Sequence, residues 1–476
     1  MMRNIIAGIL FLLTVLDARS QQEKKSAEDP REQGVFKTDI PPHPCSILLA
    51  QPTDNAVRLS IMMNEEATGY VQFGQEAGKL NRQTPVITYE AGKPATLILD
   101  NLPNDRPCYY RFLYKSKNGS KEEQTALHSF FLQRRKGASF SFCIQADSHL
   151  DENTSADAYL KTLTNISNDT PDFLIDLGDT WMTDKYRNNF KEALAQYRAQ
   201  RYYFAQVGQS APVFFTLGNH DGETGGQGKK NGGENNMLSW STLTRNNYYL
   251  NPAPDGFYSG NTTQEDGIGF PRNYYAWQWG DALFIVLDPF RYSTGNKSPW
   301  QRTLGQTQYQ WLKKTLEESR ACFKFVFIHN LVGGVDKKGK GRGGAEASRY
   351  YEWGGYDTSG VNRFAENRPG WAQPIHDLLV ANHVNIVFHG HDHFFAKQEK
   401  DGIIYQLVPQ PGATHYGNTN LAADYGYHEG TLLNTPGYLR VSVNKLVATV
   451  DYIQTSTDNK HKNGEVLFSY SIKADK

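Results

Sequence analysis

The spacing of hydrophobic positions changes along the chain and divides it into two regions. Between residues 43 and 133, seven short alternating runs are separated by turn residues, among them SILLAQ, AVRLSIMM and YYRFLYKS. Such spacing predicts a small antiparallel β-sandwich. Residues 132–138, LQRRKGA, are a predicted linker. From residue 139 to residue 474, apolar runs alternate with segments of helical spacing such as SADAYLKTLTNI and TLGQTQYQWLKKTLEES, and this alternation predicts an α/β domain.

The first residues have the features of a secretory signal peptide. Arg3 supplies a positive charge, an apolar run extends from Ile5 to Leu16, and Ala18-Arg19-Ser20 offers a cleavage site. The run is shorter than the about 20 residues that a membrane-spanning helix needs. We therefore expect a cleaved signal over residues 1–20 and a secreted or periplasmic protein without a transmembrane segment. An uncleaved anchor or a buried helix is the alternative. The polar residues 21–42 are predicted to be a flexible lead-in.

Composition and charge narrow the range of partners. Lys and Arg together number 50, as do Asp and Glu, so the formal net charge is zero. This balance gives no indication of a nucleic-acid partner, because such proteins usually carry a basic excess. Export would permit disulfides among the four cysteines, and Cys45 could pair with Cys108. The sequence leaves all three full pairings open, and it does not indicate an oligomeric state.

Polar, metal-binding residue types follow five apolar runs of the second region. These residues are Asp147 and His149, Asp179, Asn219 with His220 and Asp221, His329, and His391 with His393. In open sheets, ligands bind outside the carboxyl ends of parallel strands, so these side chains are expected to converge. Imidazole and carboxylate ligands together suit Zn, Fe or Mn. Two such ions about 3.5–4 Å apart can activate a bridging water and bind a phosphoryl oxygen.

The ordered series D-x-H, G-D, G-N-H-D, H and G-H-x-H between Phe140 and Ile453 resembles the calcineurin-like metallophosphoesterases. The resemblance implies a two-sheet sandwich flanked by helices and a centre of two divalent ions, or a mixed-valence pair, of Zn, Mn or Fe. The implied ligands are Asp147, His149 and His393 for the first ion and Asn219, His329 and His391 for the second, with Asp179 bridging both. His220 would be the general acid, and Asp221 would orient it.

The N-terminal region resembles a fibronectin type III-like module, on the basis of LPNDRPCYYRF, and the accessory module of purple acid phosphatases. In the purple enzymes, a metal-binding tyrosine lies three residues after the G-D aspartate. Met182 occupies that place here, and the first motif carries His149, which those enzymes lack. The resemblance therefore implies a colourless centre without tyrosinate.

Together these features predict an exported dinuclear-metal phosphoesterase. It would hydrolyse phosphate mono- or diesters by attack of a metal-bridging hydroxide, with His220 and Asp221 as catalytic residues. The alternative is a non-catalytic binding protein in which the metals only stabilise the fold. The identity of the ester and of the metal stays open at this point.

Overall fold

The computed structural model of the protein describes residues 35–187, 189–228, 236–295, 297–335, 341–414 and 419–474. The predicted signal peptide and residues 21–34 of the predicted lead-in lie outside the described residues. The chain from Phe36 onward forms one compact unit. Within the described ranges, no helix combines the length and the apolar character needed to cross a membrane.

Two small antiparallel sheets form the N-terminal β-sandwich. The first sheet contains β1 (Cys45–Ala50), β2 (Val57–Met63) and β6 (Pro94–Leu99). The second contains β3 (Ala67–Gly74), β4 (Arg82–Gln83), β5 (Ile87–Tyr89), β7 (Pro107–Ser116), β8 (Glu123–Gln124) and β9 (His128–Phe131), with β3 paired to β7 at its centre. Alternate residues of both sheets, such as Leu59, Val71 and Phe112, point inward and are fully buried. The predicted all-β region is therefore present, whereas its likeness to fibronectin type III stays a prediction.

Two larger sheets follow in the chain. The strands of the first are β10 (Phe140–Gln145), β11 (Phe173–Asp176), β12 (Val213–Phe215), β21 (Gly437–Asn444), β22 (Val447–Gln454) and β23 (Val466–Lys473), in the order β12-β11-β10-β21-β22-β23. The strands of the second are β13 (Ser259–Gly260), β14 (Tyr275–Trp279), β15 (Ala282–Val286), β16 (Phe323–Phe327), β17 (Ile386–His389), β18 (Phe395–Lys400), β19 (Ile403–Leu407) and β20 (Thr431–Leu433). Their order is β13-β14-β15-β16-β17-β19-β18-β20.

An aromatic core joins the facing surfaces of these two sheets. Phe142 of the first sheet packs edge-to-face on Phe284 of the second, with ring centroids 5.1 Å apart. Phe327 and Phe388 stack at 5.2 Å in the same core. Strands β10, β11 and β12 run parallel, as do β15, β16, β17 and β19. Their carboxyl ends therefore lie at one edge of the sandwich.

Helices cover the outer faces of both sheets. They are α1 (Ala156–Asn168), α2 (Phe190–Gly208), α3 (Gly225–Gly228), α4 (Met237–Tyr248), α5 (Gln306–Glu318), α6 (Tyr351–Gly354), α7 (Phe364–Asn367) and α8 (Ile375–Ala381), with 3-10 helices at Thr183–Tyr186, Pro299–Gln301, Ala345–Arg349 and Ala423–Tyr425. Ser155 caps the N-terminus of α1, because its side chain accepts from the amide of Ala158, a favourable N-cap. The apolar stripe of α5, which consists of Tyr309, Leu312 and Leu316, is buried against the second sheet. The predicted two-sheet α/β sandwich flanked by helices is confirmed.

The N-terminal sandwich contacts this α/β part through α2. The Arg201 guanidinium is fully buried and donates to Ser46 Oγ at 3.0 Å and to the carbonyl of Ser60 at 2.7 Å. Burial lowers the pKa of Arg201 to about 10. Leu48 of β1 lies in the same apolar cluster as α2. The predicted linker also contacts the α/β part. Arg134 within it forms an ion pair with Asp172 at 2.7 Å.

Candidate metal centre

All seven predicted metal ligands lie just beyond strand ends of the two large sheets. Asp147 and His149 follow β10, Asp179 follows β11, Asn219 follows β12, His329 follows β16, and His391 and His393 follow β17. The parallel strands bring these segments together although they span much of the sequence, as expected for α/β sheets.

The first group consists of Asp147, His149 and His393, whose ligand atoms all lie within 4.8 Å of one another. Asp147 Oδ1 is 3.4 Å from His393 Nε2 and 3.7 Å from His149 Nε2. In the described part of the chain, Asp147 Oδ1 and His149 Nε2 are buried without a hydrogen-bond partner. Buried polar atoms are rarely left without a partner, so this pair fits a cation held between them.

The second group consists of Asp179, His329 and His391. Asp179 Oδ2 is 3.3 Å from His329 Nε2, and Asn219 Oδ1 is 3.2 Å from the same nitrogen. Asp179 Oδ2 also lies 3.7 Å from His149 Nε2 in the first group. A single carboxylate oxygen therefore faces both groups.

Hydrogen bonds on the far side of two rings fix which nitrogen faces the centre. His149 Nδ1 donates to Asp151 Oδ2 at 3.1 Å, and His329 Nδ1 donates to the carbonyl of Leu177 at 2.8 Å. Each bond uses Nδ1, so Nε2 is the nitrogen that faces the centre and can bind a metal once it has lost its proton, the arrangement usual for metal-binding histidines. Sequence reasoning missed Asp151, although it lies two residues after His149.

The electrostatics of the two groups favour a cation. Burial raises the pKa of the Asp147 carboxyl, but the nearby His393 and His149 rings hold it well below its usual range. Burial and the nearby His329 ring also keep the pKa of the His391 imidazole well below its usual range. The centre thus presents ionised carboxylates and, at His391, a neutral ring whose lone pair can bind a metal.

The backbone is strained at five of the predicted ligands. Asp147, His149, Asp179, His391 and His393 have φ values of 59°, 42°, 53°, 79° and 66°, in the left-handed region that non-glycine residues seldom adopt. Such conformations cost on the order of 1–3 kcal/mol each and cluster at functional sites. The surrounding contacts must therefore hold these residues in place.

Two motif glycines are needed for close approach between backbone and carboxylate. A Cβ on Gly218 would lie 2.3 Å from Asp179 Oδ1, and one on Gly390 would lie 2.8 Å from Asp147 Oδ2. Neither glycine has a positive φ. These glycines are therefore needed for close packing and not for an unusual φ, because any side chain there would displace a predicted ligand.

The sequence profile of the calcineurin-like phosphoesterases matches residues 140–395, which is more than half of the chain. The protein belongs to the calcineurin-like phosphoesterase family. Two solved structures share its fold. The structure of PhoD is 13% identical, with a TM-score of 0.63 over 90% of both chains. A purple acid phosphatase, PPD1 from yellow lupin (Lupinus luteus) seeds, is 13% identical, with a TM-score of 0.58 over 90% of this chain and 74% of the other. No curated protein sequence matches.

The structure corrects the predicted partner of His220 in this phosphoesterase. His220 Nδ1 donates to Asp184 Oδ2 at 2.9 Å, and the carbonyl of His220 accepts from the amide of Asp184 at 3.2 Å. Asp184 lies in the 3-10 helix that follows the G-D motif. Both side chains are partly exposed, to 26% and 22%. Asp184, which sequence reasoning missed, therefore orients the ring that Asp221 was predicted to orient.

Asp221 instead joins the two loops that carry Asp179 and Asn219. Its carboxylate is fully buried and accepts four backbone amides, from Gly218 at 2.7 Å, Thr180 and Trp181 at 2.9 Å, and Asp179 at 3.1 Å. The physical reason is that Asp221 turns away from the ring of its neighbour and into the space between the loops. Its position is structural rather than catalytic.

The turn between His391 and His393 is fixed by residues that are not predicted ligands. Asp392 is buried and accepts from Arg342 Nη1 at 3.1 Å, from the amide of Gly343 at 3.1 Å and from the hydroxyl of Tyr427 at 2.7 Å. The Arg342 guanidinium also packs over the Tyr425 ring at 4.0 Å. A cationic side chain is thus fixed beside the turn that carries His391 and His393.

Tyr186 and Tyr197, which lie near the G-D motif, contact residues outside the two groups of predicted ligands. Met182 is buried. The Tyr197 hydroxyl lies 3.1 Å from Thr183 Oγ1, and the Tyr186 ring stacks on Phe36. These positions agree with a centre that lacks tyrosinate, which stays a prediction until a spectrum is recorded.

Proposed function

We propose that this protein is an exported phosphoesterase that hydrolyses phosphate mono- or diesters with a dinuclear metal centre. The observation that carries the proposal is the position of Asp179 Oδ2, which is 3.7 Å from His149 Nε2 and 3.3 Å from His329 Nε2. A carboxylate oxygen that faces two imidazoles of separate groups suits two neighbouring cations. A metal that only stabilised the fold would need one closed set of ligands.

The donors divide between the two ions. Asp147, His149 and His393 would hold the first ion. Asn219, His329 and His391 would hold the second, and Asp179 would contact both. When bound, two ions of the Zn, Mn or Fe type supply positive charge for the phosphoryl oxygens and lower the pKa of a water molecule.

In this proposal His220 is the general acid. Asp184 holds Nδ1, so Nε2 is the nitrogen directed to a substrate. A hydroxide ion, formed when the water gives up a proton to solvent, attacks phosphorus, and the bond between phosphorus and the leaving oxygen breaks. Acting as the imidazolium, with its Nδ1–H bonded to Asp184, the ring donates its Nε2 proton to that leaving oxygen. General acid catalysis of this kind contributes about 10²–10⁴-fold to the rate.

Arg342 supports an anionic substrate. Its guanidinium is partly exposed, and Asp392 and the Tyr425 ring fix it next to the turn that carries His391. A fixed positive charge beside this turn attracts a phosphate ester.

The test is hydrolysis of an aryl phosphate monoester and the matching diester by protein loaded with Mn²⁺ or Zn²⁺. We expect turnover of at least one ester, loss of turnover after chelation, and recovery when metal is returned. The matched control is Asp179→Asn, which keeps the shape of the side chain. Absence of turnover from protein with both ions bound would favour the alternative, a non-catalytic binding protein. Export is tested separately by determining the N-terminus of the protein recovered outside the cytoplasm, which we expect to start near residue 21.

A further inference from the structure

The segment that precedes the β-sandwich lies against the loop that follows His149. The amide of Lys37 donates to the carbonyl of Leu150 at 2.8 Å. Lys37 Nζ donates to the carbonyl of Asp151 at 2.5 Å and also to the carbonyl of Thr154. The neighbouring Phe36 ring stacks on Tyr186, with centroids 4.8 Å apart. At these residues the predicted flexible lead-in is therefore corrected, because it is bound to a loop more than a hundred positions away.

The loop that Lys37 contacts is built around Asp151. Asp151 Oδ1 accepts from the amide of Asn153 at 2.9 Å and from Thr154 Oγ1 at 3.2 Å. The other oxygen, Oδ2, accepts from His149 Nδ1 at 3.1 Å. The geometry of this loop therefore decides the orientation of the His149 ring.

The same stretch of backbone is strained. His149 and Leu150 have φ values of 42° and 61°, and neither is glycine. Non-glycine residues keep such conformations only where surrounding contacts determine them. Helix α2 supplies one contact, since Gln196 Nε2 donates to the carbonyl of His149 at 2.5 Å. Lys37 supplies the contacts on the other side, at the carbonyls of Leu150, Asp151 and Thr154.

We propose that Lys37 is a positioning residue for the first metal group. Its ammonium holds the carbonyls of Asp151 and Thr154 together, the loop then fixes the Asp151 carboxylate, and that carboxylate fixes the His149 ring. The inference rests on the proposed function only in that the first group holds an ion. It makes the segment in front of the β-sandwich part of the metal centre rather than a tether.

The test is metal binding by the full mature chain, measured by titration calorimetry with Mn²⁺ or Zn²⁺ alone. Lys37→Met keeps the length of the side chain and removes the ammonium. We expect it to weaken one of the two ions by about 10-fold, the lower end of the effect of residues that orient metal ligands, and to leave the other ion unchanged. Lys37→Arg keeps the charge and should stay within about 3-fold of the wild type. Lys161→Met, at an exposed position on α1, is the matched control and should bind both ions normally.

A second comparison tests whether Lys37 acts through the Asp151 loop. Asp151→Asn should weaken the same ion, and the double variant Lys37→Met/Asp151→Asn should be no weaker than the worse single variant, since both changes release one loop. If Lys37→Met does not fold, Lys37→Gln, which has a shorter side chain and no charge, replaces it and is expected to weaken the same ion.

Wild-type affinity for both ions in Lys37→Met, or an equal loss for both, would overturn the inference and leave Lys37 as a plain anchor. These outcomes do not depend on turnover. Failure of the proposed function would instead appear as a wild-type protein that binds two ions and hydrolyses no ester.

Discussion

Replacing Asp221 by asparagine tests whether this residue orients His220 or holds two loops together. The Asp221 carboxylate accepts two amides on Oδ1, from Thr180 and Trp181, and two on Oδ2, from Gly218 and Asp179. Asparagine has one acceptor oxygen and one NH2 donor. It can keep the first pair of bonds, but its NH2 group would then face the amides of Gly218 and Asp179.

The expected loss of stability follows from the two lost hydrogen bonds. Both amides belong to buried residues, and each buried donor left without a partner costs about 1–3 kcal/mol. We therefore expect Asp221→Asn to lower the free energy of unfolding by roughly 2–6 kcal/mol. The unfolding entropy grows with chain length, and for 476 residues each kcal/mol of lost stability lowers Tm by roughly 1 °C. The metal-free variant should therefore unfold about 2–6 °C below the wild type.

The assay is thermal unfolding of metal-free protein, followed by metal titration. Asp184→Asn is the matched control, because it removes the same charge from the residue that does contact the His220 ring. We expect Asp184→Asn to lower kcat by about 10-fold or more, with a smaller change in Tm because its side chain is partly exposed. An Asp221→Asn variant with wild-type Tm and a large loss of kcat would refute this reasoning and restore Asp221 as the residue that orients His220.

Four further outcomes are expected. His220→Ala should keep both ions in elemental analysis while kcat falls about 10²-fold or more, and an equal loss of metal would make it a ligand. Asp179→Asn should weaken both ions in a metal titration, because one oxygen faces both groups. Active protein should show no intense visible absorption band, since Met182 stands where a tyrosinate would bind. Burial lowers the pKa of His128 to about 4, so its contribution to stability is complete above about pH 6.5. About 3 kcal/mol should be lost as pH falls from there toward 4, and denaturant unfolding of His128→Phe should show a smaller loss over that range.

The predicted ligands could be found from sequence because their positions depend on strand ends. Each lies two to four residues beyond the end of a short strand, and parallel strands deliver such residues to one edge. The run before Asp179, FLID, is fully buried in the structure. The sequence pattern thus predicts both the buried strand and the position of the metal ligand that follows it. The same holds for His391 and His393, which follow the buried run IVFH.

The residues that orient the ligands could not be found in this way. Asp151 and Asp184 lie in a loop and a 3-10 helix, where no periodicity relates a side chain to a neighbour. Adjacency in sequence was also misleading: Asp221 follows His220 directly, yet their side chains diverge at the turn. Which carboxylate meets a ring depends on the path of the backbone there, and left-handed residues such as Asp179 and Met182 are not apparent from residue type.

The boundary between the β-sandwich and the α/β part shows the same limit on a larger scale. A polar linker between two hydrophobic patterns indicates a domain boundary but not which side chains pack across it. The structure buries Arg201 of α2 at this boundary, with Ser46 and Ser60 as acceptors. Removing the sandwich would take away those acceptors and expose the apolar surface of α2 that packs against Leu48, which destabilises the remaining part. It would also remove Lys37 from the His149 loop. Loss of activity in a chain that starts at residue 139 would thus mix destabilisation with a disturbed metal group, whereas Lys37→Met leaves the Arg201 contacts in place and separates the two effects.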